Sequence, residues 1–258
     1  MKSLKNIKKS ILSILMVALL VPTLIFTTAG VKANAAEVKP VQLYCSDTYY
    51  GYIGSGTTNI YIKVANWDSN KKVNVHYENK YSNTWLDEPA SYVTTLADGS
   101  EIWRASVVIT ASTVSNFAIN TVQNGQTYWD NNNGNNYSAE SAGIAPVKAV
   151  RTISSYDSIS GNFKIAARVQ NYDYNKKVTV RYTTDNWATF KDAALSFDNS
   201  KNYNDGTELW STDIQVPASN SSPANIQYAI KYEVNGQTYW DNNFGQNYSD
   251  SNYRVRYR

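Results

Sequence analysis

Cysteine occurs once in the 258 residues, as Cys45, and histidine once, as His76. One thiol can form neither an intrachain disulfide nor a thiolate metal cluster. One imidazole excludes a His-rich metal centre. Charge is scarce as well, at 17% of residues. The first 35 residues carry five Lys and no acid, which leaves 19 basic against 21 acidic side chains in the rest, a net charge of −2. That remainder has no global field for nucleic acid or anionic lipid. The one long apolar run, residues 11–26, follows Lys2, Lys5, Lys8 and Lys9 and contains Pro22. It is shorter than the roughly 20 residues of a membrane span. With Ala33, Asn34 and Ala35 behind it, residues 1–35 read as a signal peptide cleaved near Ala35. A secreted, extracellular protein without a membrane span is expected.

What is abundant is aromatic and amide: 21 Tyr, 7 Trp and, after residue 35, 28 Asn. The chain also repeats itself. Asn124-Gly-Gln-Thr-Tyr-Trp-Asp-Asn-Asn132 recurs unchanged at Asn235 to Asn243, and the frame runs on to Tyr137/Tyr248 and Ser138/Ser249, 111 residues apart. Upstream, Asn70 to Val73 matches Asn175 to Val178 at an offset of 105, and Gly99 to Trp103 matches Gly206 to Trp210 at 107. Two copies of one unit are expected, at 36–140 and 147–258. They are joined by a short Ser-, Ala- and Gly-rich linker, so the copies should cooperate through tethering rather than through contact.

Within each copy the hydrophobic period is two, as in Ile60, Ile62 and Val64, or Val178, Val180 and Tyr182. Turn residues interrupt these runs every 8–12 positions. Each unit therefore reads as an antiparallel β-sandwich of seven or eight short strands. Asn235-Gly236 favours a tight hairpin with positive φ at both turn residues. In that register Ile230 faces Asp241, Lys231 faces Trp240, and Tyr232 faces Tyr239. Cross-strand partners share a face. If Ile230 and Tyr232 point inward, Trp240 and Asn242 point to solvent, and by the same arithmetic so do Trp129 and Asn131.

Burying an indole is worth about 2–3 kcal/mol, so a Trp held at the surface calls for a ligand. A pyranose presents C–H groups on its face and hydroxyls around its rim. An aromatic ring covers the face, and Asn amides serve the rim. Trp103 and Trp210, on alternating strands, are assigned to the core.

Both units resemble carbohydrate-binding module family 21, the starch-binding modules of glucoamylases and glycogen-targeting phosphatase subunits. The resemblance is carried by Asn66 to Val73 and Asn171 to Val178, by Val180 to Trp187, and by the Tyr-Trp-Asp-Asn-Asn tracts. It implies an immunoglobulin-like β-sandwich that binds α-1,4-glucan. One family site maps onto Trp187 and Trp240 with Asn242 and Asn247, and in the first unit onto Trp129, Asn131 and Asn136 with Trp85 as the loop Trp. The resemblance places Ala118 and Ala229 where some members carry a third aromatic. A second site maps onto Asn171, Tyr174, Lys176 and Phe197. Its first-unit counterparts are Asn66 and Lys71, with Ser69 in the tyrosine's place unless Trp67 substitutes. Lys71 and Lys176 read either as ligand donors or as strand-edge charges.

The expected function is secreted, non-catalytic binding of starch, glycogen or malto-oligosaccharides by a monomer, without nucleic acid, cofactor, metal or catalytic residues. Asp130 to Gly134 is too short and too poor in carboxylates for a calcium loop. Glycoside hydrolysis needs two carboxylates facing one bond, and the second unit has no His for a Ser-His-Asp set. The alternatives are an adhesive or structural cell-surface protein and a targeting fragment of an amylolytic enzyme.

Overall fold

The computed structural model describes residues 38–50, 55–79, 82–110, 116–150, 162–216 and 226–249. The expected signal peptide lies outside them. Val38 onward forms one compact unit, built of two antiparallel β-sandwiches. The first contains β1 (Val41–Tyr50), β2 (Ser55–Val64), β3 (Lys72–Asn79), β4 (Thr84–Pro89), β5 (Ser91–Thr95), β6 (Glu101–Thr110), β7 (Phe117–Gln123) and β8 (Gln126–Asp130). Its sheets run β1-β2-β6-β5 and β4-β3-β7-β8. The second contains β9 (Val147–Val150), β10 (Asn162–Gln170), β11 (Lys176–Thr183), β12 (Lys191–Ala194), β13 (Ser196–Phe197), β14 (Thr207–Gln215), β15 (Gln227–Val234), β16 (Gln237–Asp241) and β17 (Tyr248–Ser249). Its sheets run β13-β14-β10-β9 and β12-β11-β15-β16, with β17 also on β15. No helix of the described residues is long and apolar enough to cross a membrane.

Period-two alternation makes each core. Ile60, Ile62 and Val64 of β2 meet Val73 and Val75 of β3 and Phe117 and Ile119 of β7 between the first unit's sheets. Phe163, Ile165, Val178, Val180, Ile230 and Tyr232 do the same in the second. The β15–β16 hairpin has the register the Asn-Gly turn predicts: Ile230 opposite Asp241, Lys231 opposite Trp240, Tyr232 opposite Tyr239. Asn235 and Gly236 both take positive φ, 51° and 72°, as a hairpin turn of this kind requires. Trp103 and Trp210 are half-buried against the two cores, as assigned.

The linker departs from expectation. Ile144 N–H donates to Leu43 C=O (3.0 Å) and Ala145 N–H to Tyr44 C=O (2.8 Å), so the segment lies along β1. Gln170 Nε2 donates to Gly143 C=O. Gly143 has φ +67°, and a Cβ there would fall 2.4 Å from the Tyr44 carbonyl oxygen, so only Gly fits. The outward side of the first sheet carries Cys45, Tyr61 and Ile102, which are buried with Ala145 of the linker and pack against Phe244 of the second unit. Phe244 sits 5.2 Å from the Tyr61 ring and 6.0 Å from the Tyr44 ring. The two units are therefore joined by contact, and tethering alone does not describe them. Burial pushes the Cys45 thiol up to about 12, which keeps it a protonated, inert filler of this interface.

Candidate functional site

The repeated Tyr-Trp-Asp-Asn tract ends a hairpin and opens a loop, and its Asp sets the direction of everything around it. Asp130 lies opposite Ile119 and points inward. Its Oδ2 accepts the Leu43 N–H of β1 at 3.2 Å, and the Tyr137 hydroxyl lies 2.8 Å from both carboxylate oxygens. Asp241 does the same with Ala149 N–H (2.6 Å) and Tyr248 (2.8 Å). Burial, and then the neighbouring carboxylate, push both tyrosines upward. With Asp inward, the residues on either side of it must face out. Trp129 is 54% and Trp240 44% exposed.

The loop then turns on left-handed residues: Asn132, Asn133 and Asn136 in the first unit, Asn243, Phe244 and Asn247 in the second. Asn tolerates that region better than most side chains. Asn131 C=O accepts the Gly134 and Asn136 N–H groups, and its Oδ1 accepts Gly134 N–H again at 3.0 Å. Asn242 repeats this with Gly245 and Asn247. Each side-chain carbonyl thereby accepts a backbone N–H of its own loop. Among the described residues no cluster of three His, Cys, Asp or Glu could hold a metal.

Beside each exposed Trp lies a flat row. In the first unit His76 stacks on Trp85 (4.9 Å, 18°) and meets Trp129 edge-on (5.7 Å, 82°), with Nδ1 2.7 Å from Asp87. In the second, the Arg181 guanidinium lies over Phe190 (4.2 Å) and Trp240 (5.4 Å) and donates to both oxygens of Asp192 at 2.8 Å. That bidentate bond holds the Asp192 carboxyl below its ordinary value. His76 pairs with Asp87 across β3–β4, and Arg181 with Asp192 across β11–β12. The place of Trp85 is thus taken in the second unit by Phe190, not by Trp187. Trp187 is half-buried with φ 70°, and its indole N–H donates to Gln227 at 2.7 Å. Sequence reading missed His76, Arg181 and Phe190. The 105-residue offset already seen at Asn70/Asn175, carried forward, relates 76 to 181, 85 to 190 and 87 to 192. Ala118 and Ala229 lie buried opposite His76 and Arg181.

The remaining sequence-predicted residues gather at the opposite edge of β3 and β11. Lys71 Nζ donates to Asn66 Oδ1 (2.9 Å) and Glu101 (3.1 Å), and Glu101 also accepts the Trp103 indole N–H (2.8 Å). Lys176, Asn171, Glu208 and Trp210 repeat the set. The two lysine side chains are only 2% and 3% exposed. They are buried braces that tie the Asn-bearing loop to the opposite sheet, rather than surface donors or strand-edge charges. Buried pairs of this kind cost several kcal/mol when one partner is removed. Near this brace Tyr174 (92%) and Phe197 (59%) are exposed. A cleft of about 420 Å³ is lined by Asn171, Phe197, Asn202 and Tyr203. Phe197 lies edge-on to Trp210 as Tyr92 does to Trp103. Tyr92, 105 residues before Phe197 and likewise missed, is its counterpart. Trp67 and Tyr172 are half-exposed against Tyr128 and Tyr239, and Ser69 presents no ring.

Two antiparallel sandwiches, each with an outward Trp beside a hydrogen-bonded Asn loop, define a surface-binding module. Residues 147–250 match the family described as carbohydrate/starch-binding module, family 21. The first unit repeats its motif, strand order and Asp–Tyr brace. Regulatory subunit 3B of protein phosphatase 1 from Bos taurus is 38% identical over 91 residues, 35% of this chain and 31% of that one. Glycogen-binding subunit 76A of Drosophila melanogaster is 30% identical over 92 residues, 36% of this chain and 13% of that one. The chain thus spans a third or less of the length of these curated relatives. The starch-binding domain of Rhizopus oryzae glucoamylase, solved with β-cyclodextrin and maltoheptaose, is 31% identical, with 42% of this chain and all of that one covered, at a TM-score of 0.33.

These comparisons correct the expected secreted location. The curated similarity runs to regulatory subunits of protein phosphatase 1, not to a secreted protein. The expectation rested on hydropathy and charge in residues 1–35 alone, a stretch outside both the described residues and the family match.

Proposed function

We propose that the chain binds α-1,4-glucan, as starch, glycogen or malto-oligosaccharide, without transforming it, through two copies of one immunoglobulin-like module at 36–140 and 147–258. The observation that carries this reading is the same in both units: an indole about half exposed, flanked by a side chain, His76 or Arg181, that also lies against a second aromatic, and followed two residues on by an Asn whose side-chain carbonyl accepts a loop N–H. Trp129 with Trp85, Asn131 and Asn136 forms one platform. Trp240 with Phe190, Asn242 and Asn247 forms the other, with Trp187 at its margin. The cleft at Asn171 and Phe197, with the exposed Tyr174 nearby in sequence, is a second site of the second unit. A neutral polyol suits these surfaces, because Arg181 is already neutralised by Asp192.

The test is retention on insoluble starch beside cellulose and xylan, followed by calorimetry with maltoheptaose. Retention on starch alone is expected. Trp129→Ala and Trp240→Ala together should weaken maltoheptaose binding by about tenfold or more, since a ring contact contributes about 0.5–1.5 kcal/mol beyond its buried area. Unchanged affinity in the folded double variant rejects the platforms.

A further inference from the structure

The second unit's platform does not end at its own surface. A cleft of about 270 Å³ opens beside Trp240 and Asn242, and its far wall is the β5–β6 turn of the first unit, with Thr94, Thr95 and Ala97. At ~30 Å³ per water this is room for about nine waters, the scale of one or two glucose units. We propose that this inter-unit cleft is an additional glucan subsite, so that the first unit completes the binding site of the second. The inference rests on the platform reading above and extends it.

Three features point this way. First, Trp240 belongs to both surfaces: Arg181 stacks over its ring, and the same residue lines the cleft. A chain resting on the indole therefore has the cleft next in reach. Second, the walls suit a neutral sugar. Thr94, Thr95 and Asn242 line it together with the apolar Leu96 and Phe244. The one ammonium there, Lys148, is pinned 2.5 Å from the Tyr248 hydroxyl and 3.8 Å from Asp241, so the cleft is not built to select an anion. Third, the cleft is held open before any ligand arrives. Phe244 is wedged against Tyr44 and Tyr61, and preorganisation of this kind removes part of the ordering cost of binding. The equivalent residue of the first unit is Asn133, which is exposed. The arrangement therefore belongs to the second platform and follows from one difference within the repeat.

The experiment compares maltose with maltoheptaose by calorimetry on the full chain, with Trp129→Ala silencing the first platform and Phe197→Ala the second unit's other site. Ala97 is exposed, so Ala97→Trp fills the cleft from the first unit without touching a core. The expected result is a roughly tenfold fall in the ratio of maltoheptaose to maltose affinity. Phe244→Asn, which gives the second loop the first loop's residue, should lower the same ratio in a protein that still binds maltose. An unchanged ratio in both variants overturns the subsite and leaves the platform standing. Maltose binding that survives Trp240→Ala in this background overturns the platform itself, and the subsite with it.

Discussion

Asn124–Asn132 and Asn235–Asn243 are the same nine residues, and they build the same hairpin, the same inward Asp and the same outward Trp. What lies beyond them differs. In the first loop Asn133 is exposed; in the second Phe244 is packed on the first unit. Behind the first Asp, Leu43 follows Gln42; behind the second, Ala149 follows Lys148, whose ammonium reaches Asp241, Tyr248 and the Tyr61 face at 5.5 Å. Burial works against that charge, but Asp241 and Tyr248 outweigh it and hold Lys148 well above its ordinary value. Two substitutions thus turn a solvated loop into an interface while its local geometry stays the same. Local sequence governs the turn, and the partners outside the turn govern what it is used for.

The sharpest way to break this comparison is to remove each Asp in turn. Asp241→Ala strands Lys148, a buried cation, and should cost about 3–5 kcal/mol. Asp130→Ala strands only a backbone N–H and a hydroxyl and should cost about 1–3 kcal/mol. Urea unfolding of the two variants measures both, and equal losses would mean that Lys148 adds nothing. Phe244→Asn comes next. It gives up part of the roughly 1.5–3 kcal/mol of a buried Phe, and it should split one calorimetric transition into two as the units uncouple. Its mirror, Asn133→Phe, adds an exposed ring and should stay within about 0.5 kcal/mol.

The smallest effect is in acid, and the two units should share it. Asp98, bonded by Lys63 and Ser100, and Asp198, bonded by Ser200 and Ser211, are both held down at about 2 in the folded protein. A carboxylate lowered by folding stabilises above its unfolded pKa, about 3.9, and that contribution is lost as pH falls towards 2. Thermal scans from pH 5 to pH 2 should show Tm falling across that window, with Asp98→Asn and Asp198→Asn each flattening the fall. A similar fall in both variants would place the acid sensitivity elsewhere.

Much of the site was legible because a hairpin converts spacing into facing. Asn-Gly and a period of two were enough to send Trp240 outward and Asp241 inward, and the register follows that arithmetic pair by pair. The family resemblance equates Trp187 with Trp85 as the loop Trp. The repeat offset matches Trp85 with Phe190 instead, since position in the repeat, not residue type, decides which ring meets Arg181. Lys71 and Lys176 sit beside turn residues and look solvated in sequence. Only the opposite sheet shows Glu101 and Glu208 waiting across the sandwich.

By itself the sequence determined the all-β class, the duplication, the hairpin registers and the outward Trp–Asn pairs. All of these rest on contacts a few residues apart, where stereochemistry and side-chain period leave few choices. The tertiary structure alone decided that the linker packs along β1, that Phe244 joins the units, and that His76 and Arg181 complete the aromatic rows. Those features depend on which surfaces from distant parts of the chain can bury one another. That is a matter of shape and desolvation between elements tens to a hundred or more residues apart, and local pattern carries no record of it.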